Sequence, residues 1–384
     1  MRLRYTAVAI CAGNAGAYAI VNTSPLTLGA LKQGLGLDAA AAGALITAAL
    51  SSMGLIAFAA APFLIGARKR RAAVAAALVL TLAESAAALT DSGAWMTLWM
   101  LSIGLGAGLL LAAVNAIVAA TANPDRLFGH ALMSAYLVAA LLVFGLTPAI
   151  AVAGQHGAFA VLAAFSLALL PLLRGLPHEA DAWQASRPSL DAAPAQRGGL
   201  ALLLGIFVIG VPMMGFYAYT EGLGARLALA PAQVAAVLAA QQLASVAGAL
   251  LAARRGLRIG LRRGILGATV LHTVAIAAAV LGDTPWLYAA GVVAEGFSFL
   301  FLLPLLFTLA AVLDASGRWA AAANGALFVA TGIAPALIGA VIDRHGYDAI
   351  AWLMLGATPA GLAALAVSLR ALAAPGSAAI QRVA

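Results

Sequence analysis

The chain has 384 residues, of which 64% are hydrophobic and only 9% charged, and its mean hydropathy is +1.03. A soluble domain carries about 25% charged residues, so this composition excludes a water-soluble globular protein, and the long unbroken apolar runs exclude a β-barrel, whose strands alternate over ~10 residues. The net charge of +8 is expected to come from basic loops on one side of a membrane rather than from a nucleic-acid surface, and a single cysteine, Cys11, excludes a disulfide framework or a cysteine metal site.

A spanning helix needs about 20 apolar residues. With Gly, Pro and charge clusters as punctuation, twelve spans are expected. The first six are 6–30, 39–65, 72–90, 95–121, 127–153 and 157–173. Span 1 follows a basic start, as a signal peptide would, but runs on too far for one and carries Asn14, Tyr18 and Asn22. These three are spaced four apart and share one helical face. Such a face needs partners in protein or water, so it either lines a cavity or bonds to a neighbouring helix. Span 3 carries Glu84 toward its outer end, read as a structural acid that snorkels or pairs locally. Span 4 carries "GLGAG" (104–108), which allows close backbone approach, and Asn115. Span 5 carries Tyr136.

The stretch 174–199, rich in Pro and charge, reads as a linker. The second six spans are 200–220, 231–253, 264–282, 285–313, 319–342 and 349–373. Span 7 ends in "MMGFYAYTEGLG", where Met213, Tyr217 and Glu221 lie four apart on one face. Glu221 is expected either at the outer mouth of a cavity or paired with Arg226 in solvent. Span 8 carries Gln241 and Gln242, span 9 His272, and span 11 Asn324. The glutamines and asparagines are candidate cavity groups, although such residues also join helices. His272 is read as structural and hydrogen-bonded, and His156 and His345 as turn residues.

Span 10 holds the strongest candidate. In "AAGVVAEGFSFLFLLPLLF" (289–307) Glu295 is the single charged residue. Ionisable groups at membrane depth are costly and mark function by default. Glu295 is expected to bind a proton, a cationic substrate, or each in turn. The alternative is a neutral structural acid.

The basic residues support this division. With both termini cytoplasmic, eighteen Lys and Arg fall on the cytoplasmic side and three (Lys32, Arg226 and Arg344) outside. An internal repeat also emerges. A shift of 192 residues lays Leu35–Asp38 over Leu227–Ala230 and Arg126 over Arg318, while "TPAIAVAGQHG" (147–157) aligns with "APALIGAVIDRHG" (334–346) at a slightly shorter shift. A six-plus-six duplication follows, with a substrate expected in the cleft between halves 1–173 and 200–384.

These features resemble the major facilitator superfamily over essentially the whole length. "GARKRR" (66–71) and "GALLAARRGLRIGLRR" (248–263) look like copies of its cytoplasmic loop motif without the acid, and "LSIGLGAG" (101–108) resembles its fourth-span motif with Met100 where an arginine is usual. The antiporter run of span 5 is absent from "VFGLTPAIAVAG" (143–154). The resemblance implies a multi-pass protein of the inner membrane. In that fold spans 1, 4, 7 and 10 line a cavity, 2, 5, 8 and 11 flank it, and 3, 6, 9 and 12 support it.

The expected cavity helices carry no Lys or Arg at depth, which favours a cationic or neutral amphipathic substrate over an anion. The expectation is a secondary transporter, proton-coupled and acting as a monomer, with no cofactor and no nucleic-acid partner. The alternatives are an uncoupled facilitator or uptake carrier and, from another class, a non-transporting membrane sensor. No HExxH and no phosphate-binding loop of the GxxxxGK[ST] kind occurs, so neither an enzyme nor an ATP-driven pump is expected.

Overall fold

The structure is a computed structural model that describes residues 2–60, 63–64, 68–119, 124–177, 193–313 and 318–372. Most of the linker lies outside them. Among the described residues the chain is all helix and turn, with no strand. The helices are α1 (Arg2–Asn22), α2 (Ser24–Gly34), α3 (Ala39–Ala60), α4 (Arg68–Ala87), α5 (Gly93–Ala119), α6 (Pro124–Leu173), α7 (Ala193–Ala218), α8 (Thr220–Arg226), α9 (Pro231–Ile259), α10 (Leu261–Leu281), α11 (Pro285–Leu313), α12 (Arg318–His345) and α13 (Asp348–Leu372). Nine stretches among the described residues are long and apolar enough to cross a bilayer.

Three breaks relate these helices to the expected spans. α1 and α2 form one pass interrupted at Thr23, where Pro25 cannot donate to the preceding turn. The Thr23 hydroxyl covers part of the break by donating to the Ala19 carbonyl at 2.8 Å. α7 and α8 form another, interrupted at Tyr219. α6 is two passes. At Ala153 and Gly154 the backbone leaves the helical region, with Gly154 at φ 54°, ψ −134°, a conformation that L side chains avoid. The first arm runs beside α1, with Ala131 and Ala135 accepting from Asn14 and Asn22. The second arm returns, with Leu169 against Gly16 and Leu173 against Gly13. A rising chain that comes back to its starting neighbour is a hairpin. Joined and divided at these breaks, the helices follow the chain order of the expected spans.

Within the first six passes α5 packs on α3 and α4, and α6 on α1 and α4. Within the second six α11 packs on α9 and α10, and α7 on α12 and α13. The "GLGAG" glycines are where α5 meets α3 most closely: a Cβ on Gly104 would stand 2.1 Å from the Ala49 carbonyl, and one on Gly108 2.3 Å from that of Met53. α3 packs on α12, α6 on α9, and α2 on α7 and α8. The 192-residue shift carries α3 onto α9 and α12 onto the first arm of α6.

Thr273 and Thr358 share a hydrogen bond of 2.7 Å between α10 and α13. The same shift lands on Thr81, which bonds the Ala77 carbonyl at 2.8 Å instead, and on Ser166, beside which Glu84 is buried. Glu84 is 1% exposed, so it does not snorkel; it faces Ser166 between α4 and α6. The exposed Leu, Phe and Trp side chains, such as Phe58, Leu141, Trp286 and Trp352, belong on a lipid-facing perimeter.

Candidate functional site

Glu295 sits in the first half of α11, 2% exposed. Its Oε2 accepts from Gln241 Nε2 of α9 at 2.5 Å. Gly296, next in the chain, presses on Gln241 and Ser245, where a Cβ would clash at 2.6 Å. That contact brings α9 and α11 together and fixes the direction of the acid. On its other side Oε1 lies 3.8 Å from His272 Nε2 of α10. His272 is fully buried, and its Nδ1 contacts Ser298 Oγ at 2.9 Å, while Ser298 donates to the Glu295 carbonyl. The supporting helix therefore reaches the acid, a contact that span order assigned to a structural histidine. Tyr136 and Tyr217 lie within electrostatic reach of Glu295, and Tyr18 within reach of Tyr136.

The next residue on α9, Gln242, faces the other half. Its Nε2 donates to the Tyr217 hydroxyl at 3.0 Å and to the Asn22 carbonyl at 3.3 Å, and Tyr217 donates to that same carbonyl at 2.5 Å. α1 ends at Asn22, and the last carbonyls of a helix lack intrahelical partners. The break at Thr23 thus presents an acceptor to the second half. Gln241 and Gln242 are adjacent, and they join the acid to the inter-half contact through a single helix.

Further toward the side of Lys32 the halves are sealed. The Tyr219 hydroxyl reaches both the Ala39 carbonyl at 2.6 Å and the Pro335 carbonyl at 2.8 Å. Gly43 and Gly339 make room for it: a Cβ on either would come within 2.4 Å of that oxygen. Asp343 of α12 accepts from the amides of Ala39 at 3.1 Å and Ala40 at 2.7 Å. An anion at a helix N-terminus satisfies orphan donors and the helix dipole together, here across the two halves. The Ala336 amide donates to Thr47 at 3.0 Å.

The remaining sequence candidates divide. The side-chain amides of Asn14 and Asn22 bond to α6 carbonyls at 2.9 and 3.5 Å, so that face of α1 serves helix joining. Tyr18, between them, is half-buried, as are Asn115 and Asn324. Glu221 does not pair with Arg226. Arg226 binds Asp348 at 2.6 Å and the Val280 carbonyl, also at 2.6 Å. The Glu221 carboxylate lies over Gly29 of α2, with Lys32 in electrostatic reach. Residues 29 and 221 are one repeat apart, so they face each other across the pseudo-symmetry axis. His156 is more than a turn residue, since it holds the Ala88 carbonyl and Asp91 at 2.9 and 3.1 Å. Tyr219 and Asp343 escaped the sequence reading. The tyrosine is off the Met213–Tyr217–Glu221 spacing, and Asp343 looks like an ordinary loop acid until α3 is docked beside it.

A small apolar crevice of about 20 Å³ lies between α7, α11 and α12, lined by Ile209, Met213, Phe299, Leu302, Leu306 and Leu327. It lies beyond Glu295 along α11, toward the side of the chain termini.

No family model and no curated protein matches this sequence. Solved structures do. A D-xylose–proton symporter is 14% identical with a TM-score of 0.73, covering 97% of this chain and 97% of its own. A nucleoside transporter is 14% identical with a TM-score of 0.68, covering 96% and 99%. A peptide transporter of the POT type, solved with alafosfalin, is 16% identical with a TM-score of 0.70, covering 96% and 94%. At these identities the likeness is one of fold.

Proposed function

We propose that this chain, which has the fold of the major facilitator superfamily, is a proton-coupled secondary transporter of a small cationic or neutral amphipathic molecule. Halves 1–173 and 200–384 rock about a central site, with 174–199 as the linker, in the inner membrane with both termini cytoplasmic. A monomer suffices for this motion, because the moving interface lies within one chain. Glu295 carries the proton or the substrate cation, and Glu221 is a second acid at the outer seam.

The observation that carries this reading is the direct bond from Gln241 to the buried Glu295, with Gln242 beside it bonded to Tyr217 and Asn22. A change of charge on Glu295 alters the hold on Gln241, and α9 transmits the strain to the inter-half contact. The tyrosines near Glu295 suit a cation by π interaction. That one structure of similar fold is of a proton symporter supports proton coupling here.

The test uses proteoliposomes loaded with a pH-sensitive dye and challenged with cationic, neutral and anionic compounds. The expected outcome is proton movement evoked by a cationic or neutral compound, reduced by Glu295→Gln to the level of empty vesicles. Full activity of Glu295→Gln with unchanged pH dependence would remove the acid from the mechanism. Flux that persists at the same rate without a proton gradient would favour an uncoupled carrier in which Glu295 holds substrate alone.

A further inference from the structure

We assign the proton of the His272 ring from the hydrogen bonds around it. Ser298 Oγ has one hydrogen, assigned to the Glu295 carbonyl at 2.9 Å. With that assignment the serine oxygen accepts from His272 Nδ1 at 2.9 Å. In the neutral ring the proton is then on Nδ1, and Nε2 carries a bare lone pair. That lone pair is buried and has no hydrogen-bond partner, which is unfavourable unless something donates to it. The group it faces is Glu295 Oε1, at 3.8 Å. An ionised carboxylate offers no donor, whereas a protonated one does.

We propose that Glu295 and His272 form a single proton-holding unit, with one proton between Glu295 Oε1 and His272 Nε2. His272 is a positioning residue in this unit: it aims the acid and receives its proton. The deduction rests on Glu295 being the proton site. In one form the proton is on Oε1 and the ring is neutral. In the other the O–H bond is broken, an N–H bond has formed on Nε2, and the carboxylate faces an imidazolium. The pair is neutral in both forms, so the proton can move within the membrane without leaving a lone buried charge, which is the costly state.

The transfer requires the gap to close by about 1 Å, to the ~2.7–2.9 Å of a charge-assisted bond. A small displacement of α10 against α11 accomplishes this, and that movement ties the proton's position to helix packing. The groups at the pair are Gln241 from α9 and Ser298 from α11, with Ser245 of α9 against the neighbouring Gly296, and Tyr136 and Tyr217 lie in electrostatic reach. None is a Lys or Arg, so His272 supplies the cation that a displaced proton needs.

The test requires no substrate. Full-length protein with 15N-labelled histidine, in lipid vesicles, is titrated from about pH 5 to 9 by solid-state NMR, while infrared difference spectra follow the protonated carboxyl band. Glu295→Gln identifies that band and His272→Gln the ring signal among the five histidines. The expected result is one shared midpoint for ring and carboxyl, with Nε2 reporting a hydrogen bond on the acid side. His272→Gln should move the carboxyl midpoint by at least about one pH unit, a tenfold change in proton affinity.

A His272 Nε2 that stays neutral and unbonded while the carboxyl titrates alone overturns the proposal, as does an unmoved midpoint in His272→Gln. Should His272→Gln fail to fold, the wild-type titrations decide alone. The transport reading fails separately, by normal coupled flux in Glu295→Gln. Joint titration would in that case still stand.

Discussion

At the residue scale, Tyr219 joins the halves through one hydroxyl. It reaches a carbonyl on α3 and a carbonyl on α12, and its ring position is forced by the break between α7 and α8. Tyr219→Phe keeps the ring and deletes the bonds, leaving two carbonyls with one partner fewer. Only the bond to Ala39 crosses between the halves, and its loss, about 1 kcal/mol, shifts the sealed population roughly fivefold. Spin labels at Gln33 and Arg344, one on each half at the Lys32 side, should report a longer and broader distance distribution in Tyr219→Phe than in wild type. An unchanged distribution would mean the hydroxyl does not hold the seam. Sequence reading reached Glu295 because a lone acid in an apolar run is conspicuous whatever surrounds it. It passed over Tyr219 because a tyrosine near a span end is ordinary. It treated His272 as structural because helix order placed it on a supporting helix, and order carries no information on rotation about the helix axis.

At the element scale, the 50-residue helix α6 shows how a single backbone conformation sets topology. Two passes joined by so short a turn need a residue that accepts φ 54°, ψ −134°, and Gly154 supplies it. Gly154→Ala is expected to cost about 1–3 kcal/mol and to lower the melting temperature of detergent-solubilised protein. Gly145→Ala, in the first arm, is the control. Its added Cβ would meet Val161 at an ordinary 3.8 Å, and alanine favours helix by about 1 kcal/mol over glycine; its melting temperature should hold or rise. Equal losses in both would show that the turn is not the sensitive point. The division of this segment at 153 and 157 was legible from "GQHG". The divisions at Thr23 and Tyr219 were not, because hydropathy runs straight through them, and a break within a span matters only through the groups it exposes. At Thr23 that group is the Asn22 carbonyl, which two side chains of the other half use.

At the scale of the whole molecule, α3 packs on α12, α6 on α9, and α2 on α7 and α8 across the proposed halves, and the described hydrogen bonds between them cluster toward the Lys32 side. The seam there combines the capping of α3 by Asp343 with the Tyr219 bonds. The proposed alternating access requires it to part. A disulfide between Ala40→Cys and Asp343→Cys, in a Cys11→Ala background, should arrest compound-evoked proton flux in proteoliposomes, and reductant should restore it. Full flux in the oxidised, cross-linked protein would show that the halves need not separate at this seam.

The sequence by itself determined the all-helical membrane fold and the position of the acid within its apolar run. Both follow from quantities summed along the chain, chiefly apolar length against bilayer thickness. Only the tertiary structure decided what the polar groups face. Glu295 meets Gln241 and His272, Asn14 meets a carbonyl of α6, and Arg226 meets Asp348 rather than Glu221. The physical reason is range. Hydropathy is local and additive, whereas a hydrogen bond is made or lost over about half an ångström, a distance set by the packing and rotation of helices far apart in the sequence.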